Sequence, residues 1–180
     1  MSQKLKSYYE EKVIPELNAE FSYKNKHEVP KILKVKINRG LGTAAQNTKI
    51  LQKTINEIKT ISGQQPIVTT AKKSIAGFKV REEMPLGVTV TLRREKMYSF
   101  LERLINLVLP RIRDFQGLEP RKMDKYGNYN FGINDQLIFP EIEYDQVDQT
   151  LGFNITIVTN AKTQQEGLVL LKSVGIPFKK

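Results

Sequence analysis

Leu33-Lys34-Val35-Lys36-Ile37-Asn38 alternates apolar with polar residues, and Leu86-Gly87-Val88-Thr89-Val90-Thr91-Leu92-Arg93 repeats the alternation further along the chain. A period of two turns successive side chains to opposite sides of an extended backbone, so each stretch predicts a strand with one buried face and one wet face. The wet positions are Lys34, Lys36 and Asn38 in the first strand and Thr89, Thr91 and Arg93 in the second. Placed in one sheet, these strands gather ammonium, guanidinium, amide and hydroxyl donors on a single surface.

Outward from this pair the pattern switches to helical spacing. Leu5, Tyr8, Tyr9, Val13 and Leu17 recur every three or four residues and predict a first helix that continues past Pro15. Gly40-Leu41-Gly42 ends the first strand, and Ile50, Leu51, Ile55, Ile58 and Ile61 stripe a second helix over residues 47–61, with Gly63 as its stop. Residues 67–70 form a short strand, residues 97–109 a helix closed by Pro110, residues 153–157 a strand, and residues 164–172 a last helix. Residues 114–132, rich in glycine, charge and aromatics, are expected to be irregular with short extended pieces. Four or five strands interleaved with about four helices give an α+β fold: a mainly antiparallel sheet with helices packed on one face. Its other face is the expected working surface. A chain of 180 residues supports one sizeable core, so residues 1–180 are expected to form a single domain.

The net charge of +10 points to a polyanionic partner, and its distribution sharpens the point. Residues 1–97 hold 19 Lys/Arg against 9 Asp/Glu, whereas residues 98–180 hold 10 of each. Between Lys24 and Arg81 the ratio is 13 to 2, so the surplus is concentrated as a binding face requires. Residues 135–148 carry five acids and no Lys or Arg, and are expected to face away from nucleic acid or to meet a basic protein.

Lys72-Lys73-Ser74-Ile75-Ala76-Gly77-Phe78-Lys79-Val80-Arg81 is too polar for a core element and too short for a domain. It predicts a protruding basic loop, with Lys72, Lys73, Lys79 and Arg81 around Gly77 and an apolar tip of Ile75, Ala76 and Phe78. The bland alternative tucks Phe78 back onto the core. For the sheet face the bland alternative is plain solvation, which the second polar strand weakens. Donors without aromatics at the wet positions suit recognition of RNA by shape, and do not support base stacking on the sheet. Arg93, Arg94, Arg111, Arg113, Arg121 and Lys122 form a second basic group, diluted by acidic neighbours.

Other chemistries fare worse. Gly40-Leu41-Gly42-Thr43-Ala44-Ala45 fits a G-x-G-x-x-A dinucleotide pattern, but the acidic residue due at the end of the next strand is replaced by threonines and lysines. His27 is the only histidine and has no second His or Cys to share a metal or activate a nucleophile. Glu141, Glu143 and Asp145 alternate and offer cation ligands, though a wet strand face or an acidic patch for a basic protein partner explains them better. The lack of cysteine removes disulfides, thiolate metal sites and a cysteine nucleophile, and fits a reducing compartment. No apolar run approaches the roughly 18 residues of a membrane span. Residues 1–11 resemble neither a secretory signal nor a transit peptide, so the chain is expected to work where it is made. An enzyme is not expected, nor is a metal or cofactor.

Three segments carry a family resemblance: residues 72–81, Pro110-Arg111-Ile112-Arg113-Asp114-Phe115, and Ile138-Phe139-Pro140-Glu141-Ile142, joined by Ser62-Gly63-Gln64-Gln65-Pro66 and Gly175-Ile176-Pro177-Phe178. Together they resemble, nearly end to end, the bacterial-type fifth protein of the large ribosomal subunit. The resemblance implies an α+β protein that holds 5S rRNA and links it to large-subunit rRNA in the central protuberance. It would place Asn38, Gly40, Gly42, Gln64 and Thr91 at the 5S rRNA surface and bring the loop from Lys72 to Arg81, with Ser74, Gly77 and Phe78, to peptidyl-site tRNA. It also implies contact with a small-subunit head protein, and a location in the large subunit of a bacterial-cytoplasmic or plastid-stromal ribosome. The chain departs from the family pattern at Arg39 and Arg94, where uncharged residues are expected, and at Lys125-Tyr126, which alters a short Gly/basic loop.

Overall fold

The computed structural model describes residues 4–42, 47–144, 147 and 150–179. Helix α1 occupies residues 4–21 in three pieces: Lys4–Tyr8, a wider π turn Tyr9–Val13, and Ile14–Phe21. Pro15 has no N–H to donate and its ring crowds the carbonyl four residues back, so the helix widens ahead of it instead of ending. The wider turn shifts the buried stripe to Tyr9, Val13 and Leu17. Tyr8 is consequently exposed, with the Lys12 ammonium 5.4 Å from its ring centroid, contrary to the expected stripe.

Strand β1 is Ile32–Gly40. Val35 and Ile37 are buried and Lys36 is exposed, as expected, but at the strand's start Ile32 is buried and Leu33 exposed. Two adjacent apolar residues give no period from which to choose the inner one. Helix α2, Thr48–Ser62, starts on Asn47, whose side chain accepts the Lys49 N–H at 3.0 Å, and stops at Gly63, left-handed at φ +65° with its N–H on the Lys59 carbonyl at 2.8 Å. Ile58 and Ile61 are its buried apolar residues, and the helix packs against β3.

Strands β2, Ile67–Thr70, and β3, Pro85–Leu92, pair antiparallel with Ile67 opposite Thr89 and Val68 opposite Val88. Helix α3, Arg94–Arg103, continues through a second π turn, Leu104–Val108, again ahead of a proline, Pro110. Its first residue, Arg94, sits at φ +50°, a backbone region that disfavours a side chain by about 1 kcal/mol. The stretch expected to be irregular with short extended pieces supplies one such piece, strand β4, Tyr129–Ile133, followed by β5, Phe153–Thr159, and helix α4, Gln164–Ser173, capped by Thr163.

The five strands form one antiparallel sheet in the order β2-β3-β1-β5-β4. Alternating burial along β1, β3, β4 and β5 gives it a covered face and an open one. The architecture is the expected α+β arrangement.

Two compact units are distinguished along the chain. One comprises the segment up to Val35, Arg93–Phe131 and the segment from Thr156; in it α1 packs against α3 and α4, and the Tyr9 hydroxyl donates to the Pro30 carbonyl at 2.9 Å. The other comprises Lys36–Leu92 and Gly132–Ile155, and contains α2, β2, β3 and an aromatic pair, Phe139 and Phe153, with centroids 5.5 Å apart.

Candidate nucleic-acid interface

The open face of β1 and β3 carries the residues that the alternation assigns to it. Lys36 is exposed, while Lys34, Asn38, Thr89 and Thr91 are half-buried, their side chains lying among neighbours on the sheet surface. Arg93, one residue beyond β3, is exposed. The Thr89 hydroxyl donates to the Ile37 carbonyl at 3.2 Å, and the Gln64 amide donates to the Thr91 carbonyl at 3.2 Å. The Gln64 backbone N–H in turn bonds the Ser62 hydroxyl at 3.2 Å, which fixes this glutamine at the exit of α2. The elements next to this face add Ile67, which is 69% exposed opposite Thr89. No aromatic side chain occupies the open positions Asn130, Asn154, Thr156 or Val158 of β4 and β5. The open face is thus polar and cationic, without a stacking platform.

The glycines of this region divide by cause. Gly42, at φ +54°, needs its missing side chain for backbone reasons. Gly87 is needed for space: a Cβ there would lie 2.5 Å from the Arg39 carbonyl oxygen. Gly40 and Gly77 have neither reason, because nothing lies within 4 Å of a Cβ built on either and neither has a left-handed φ. A glycine that the fold does not require, at an exposed strand end or loop tip, leaves room for something outside the protein to approach the backbone.

The basic loop is a finger held by its own hydrogen bonds. Ala71 N–H bonds the Met84 carbonyl and Glu83 N–H bonds the Ala71 carbonyl, both at 2.9 Å, so the stem is closed. Farther out, Ile75 and Val80 form an isolated bridge, Ser74 Oγ accepts the Glu82 N–H at 2.9 Å, and the tip turns through a short 3-10 segment, Ala76–Phe78, into left-handed Lys79 at φ +53°. Lys72, Lys73, Lys79 and Arg81 are exposed. Phe78 is 72% exposed and Ile75 is 49% exposed, so the alternative in which Phe78 folds back onto the core does not hold.

Arg39, where the family pattern calls for an uncharged residue, is accommodated inside the protein. It is fully buried, its Nη1 paired with the Glu57 carboxylate and its Nη2 donating to the Leu151 carbonyl at 3.2 Å. The guanidinium carbon lies 5.5 Å from the Phe153 ring centroid, whose negative face favours a cation. The signal was present: Arg39 is in phase with Val35 and Ile37, the buried side of β1. It therefore belongs to the core and not to the wet face.

The dinucleotide alternative is excluded by topology. Such a site needs parallel neighbouring strands around the glycine turn, whereas here β3 lies between β1 and β2 and pairs antiparallel with β2. Thr43, Ala44 and Ala45 of the pattern lie outside the described residues, as do Asp145 and Asp148 of the acidic stretch. Among the described residues no group of three or more His, Cys, Asp or Glu is placed to hold a metal, and no helix is long and apolar enough to cross a membrane.

A sheet with a polar, cationic open face and a hydrogen-bonded basic finger defines an α+β protein with a surface suited to a polyanion. Residues 25–81 match the family model described as ribosomal protein L5, and residues 85–178 match the ribosomal L5P family C-terminus. A large ribosomal subunit protein uL5c of Heterosigma akashiwo is 67% identical over 180 residues, covering 100% of this chain and 99% of that protein. The uL5c of Rhodomonas salina is 61% identical over 178 residues, covering 99% of this chain and 98% of that protein. The uL5 of the cyanobacterium Trichodesmium erythraeum is 60% identical over 179 residues, covering 99% of each chain. The chain belongs to the ribosomal protein L5 family, and is a structural constituent of the large ribosomal subunit, not an enzyme. Its relatives include plastid-type and cyanobacterial proteins.

Proposed function

We propose that the open sheet face holds 5S rRNA and joins it to large-subunit rRNA in the central protuberance, while the finger reaches peptidyl-site tRNA. The observation that carries the reading is the pairing of a polar, aromatic-free sheet face with two glycines, Gly40 and Gly77, that the fold itself does not require. Lys34, Lys36 and Arg93 supply salt-dependent attraction to phosphates, and Asn38, Gln64, Thr89 and Thr91 supply hydrogen-bonding groups for 2′-hydroxyls and sugar edges. Gly40 and Gly42 let the RNA backbone come close to the turn after β1. In the finger, Lys72, Lys73, Lys79 and Arg81 meet phosphates, while Ser74, Gly77 and Phe78 shape the tip that faces the tRNA. Residues 135–144, acidic and without Lys or Arg, meet a basic partner such as a small-subunit head protein. The whole chain acts as one ribosomal domain, in a plastid or bacterial ribosome.

The test is a gel-shift comparison of 5S rRNA with unrelated RNA and DNA duplexes of similar length. Selective binding of 5S rRNA supports the reading. Equal binding of all three supports a general nucleic-acid chaperone instead.

A further inference from the structure

The turn at Asp124–Gly127 is built with more hydrogen bonds than its length requires. Asp124 accepts the Tyr126 N–H at 2.9 Å, the Asn128 N–H at 2.7 Å and the Asn128 side-chain amide at 2.7 Å, and the Gly127 N–H returns to the Asp124 carbonyl at 3.2 Å. A bridge between Met123 and Tyr129 closes its base, and Gly127, at φ +73°, lies against Ala161 so closely that a Cβ would come within 2.7 Å of that side chain. Asp124, Gly127 and Asn128 therefore fix the turn. Lys125 and Tyr126, the two residues at its tip, hold it with no side-chain bond, and Tyr126 is 72% exposed. Upstream, on the short 3-10 segment Pro120–Lys122, Arg121 is exposed, while Lys122 lies 3.7 Å from Glu119. The acids nearby are thus occupied: Glu119 by Lys122, and Asp124 by the turn itself.

A hydrogen-bonded tip that presents one aromatic ring beside a lysine, with an arginine on the segment just upstream, has the chemistry of a single-stranded RNA contact: the ring stacks on an unpaired base and the cations meet the flanking phosphates. The sheet face has no aromatic and reads a duplex by shape, so the two surfaces are chemically suited to different RNA elements. We infer that Lys125 and Tyr126 form a second RNA-binding site, for an unpaired base of large-subunit rRNA, with Arg121 contributing to phosphate binding. The inference rests on the proposed role of the sheet in holding 5S rRNA.

The test begins with the full-length chain bound to 5S rRNA and measures binding of that complex to a large-subunit rRNA transcript. Tyr126→Ala is expected to weaken this step by about tenfold, the loss of one base–aromatic stack, and Tyr126→Phe to leave it unchanged. Lys125→Ala should lower the salt slope of the same step by about one. Affinity for 5S rRNA should stay within about twofold in all three variants, which also shows that they fold. Wild-type binding of large-subunit rRNA by Tyr126→Ala, a parallel loss of 5S rRNA affinity, or an equal loss in Tyr126→Phe would each overturn the inference. Failure of the wild-type chain to bind 5S rRNA would instead defeat the reading beneath it, so the two failures are distinguishable.

Discussion

Replacing Gly40, Gly42 and Gly87 by alanine, one at a time, separates glycine kept for the fold from glycine kept for the partner. Gly40 ends a strand in ordinary backbone with nothing within 4 Å of a Cβ, so alanine there fits and restricts the unfolded chain. Gly40→Ala should stabilise the protein by about 0.5 kcal/mol. Gly42, at φ +54°, should lose about 1 kcal/mol on the same change because the left-handed region disfavours a Cβ. Gly87→Ala puts a Cβ 2.5 Å from the Arg39 carbonyl, backbone against backbone at the centre of the sheet, and should cost about 2–3 kcal/mol. Urea unfolding gives the three stabilities, and a 5S rRNA gel shift gives the three affinities. The distinctive result is Gly40→Ala, more stable than wild type yet a weaker RNA binder, by about tenfold if one close backbone approach worth roughly 1.4 kcal/mol is lost. A Gly40→Ala protein that binds 5S rRNA as well as wild type would refute the reasoning, and one that is destabilised by more than about 1 kcal/mol would refute its structural half.

The buried Arg39–Glu57 pair makes a second prediction: Arg39→Met strands a carboxylate that is only 14% exposed, and should cost about 3 kcal/mol in urea unfolding, whereas the double change Arg39→Met/Glu57→Leu should recover most of it. A single-variant loss below about 1 kcal/mol would show that the pair is electrostatically idle. Replacing Lys72, Lys73 and Lys79 together by alanine should spare 5S rRNA affinity and weaken tRNA contact in reconstituted subunits; equal loss of both would end the proposed division between sheet and finger. Alkaline stability should fall in a definite window, because burial pushes the Tyr9 and Tyr129 hydroxyls up to about 12 from the ordinary tyrosine value of 10.0. Folding therefore favours the protonated phenols, a contribution complete below pH 10.0 and lost as pH rises through about 12. Phenolate absorbance against pH should show these two tyrosines ionising with unfolding, and early reversible ionisation would contradict their burial.

The sheet was readable in the sequence because a half-buried strand must alternate, and β1 and β3 do so over most of their length. Gly63 marked the end of α2 because only its left-handed backbone closes that turn cheaply. Legibility failed where two causes competed. Ile32 and Leu33 are both apolar, so period alone could not choose between them. In α1 the widened turn ahead of Pro15 moved the stripe off Tyr8, a displacement that a fixed helical period does not contain. Arg39 continues the buried phase of β1, but the partners that make a buried guanidinium tolerable, Glu57 and Leu151, lie far along the chain and no local pattern announces them. Strand β4 was legible only as an unplaced extended piece in a stretch rich in glycine and charge, because its pairing depends on residues contributed elsewhere in the sequence. The finger's exposure followed from its composition, but its internal bridge and left-handed Lys79 did not.

The central claim is that phosphates of 5S rRNA are neutralised by lysines and arginines gathered on the open face of the sheet. Affinity for 5S rRNA measured across a series of salt concentrations tests it directly. With about five phosphates engaged, log affinity should fall against log salt with a slope of roughly −3.5 to −4.5, and Lys34→Ala/Lys36→Ala should make that slope shallower by about two. A flat salt response, or a slope unchanged by removing both lysines, would contradict it.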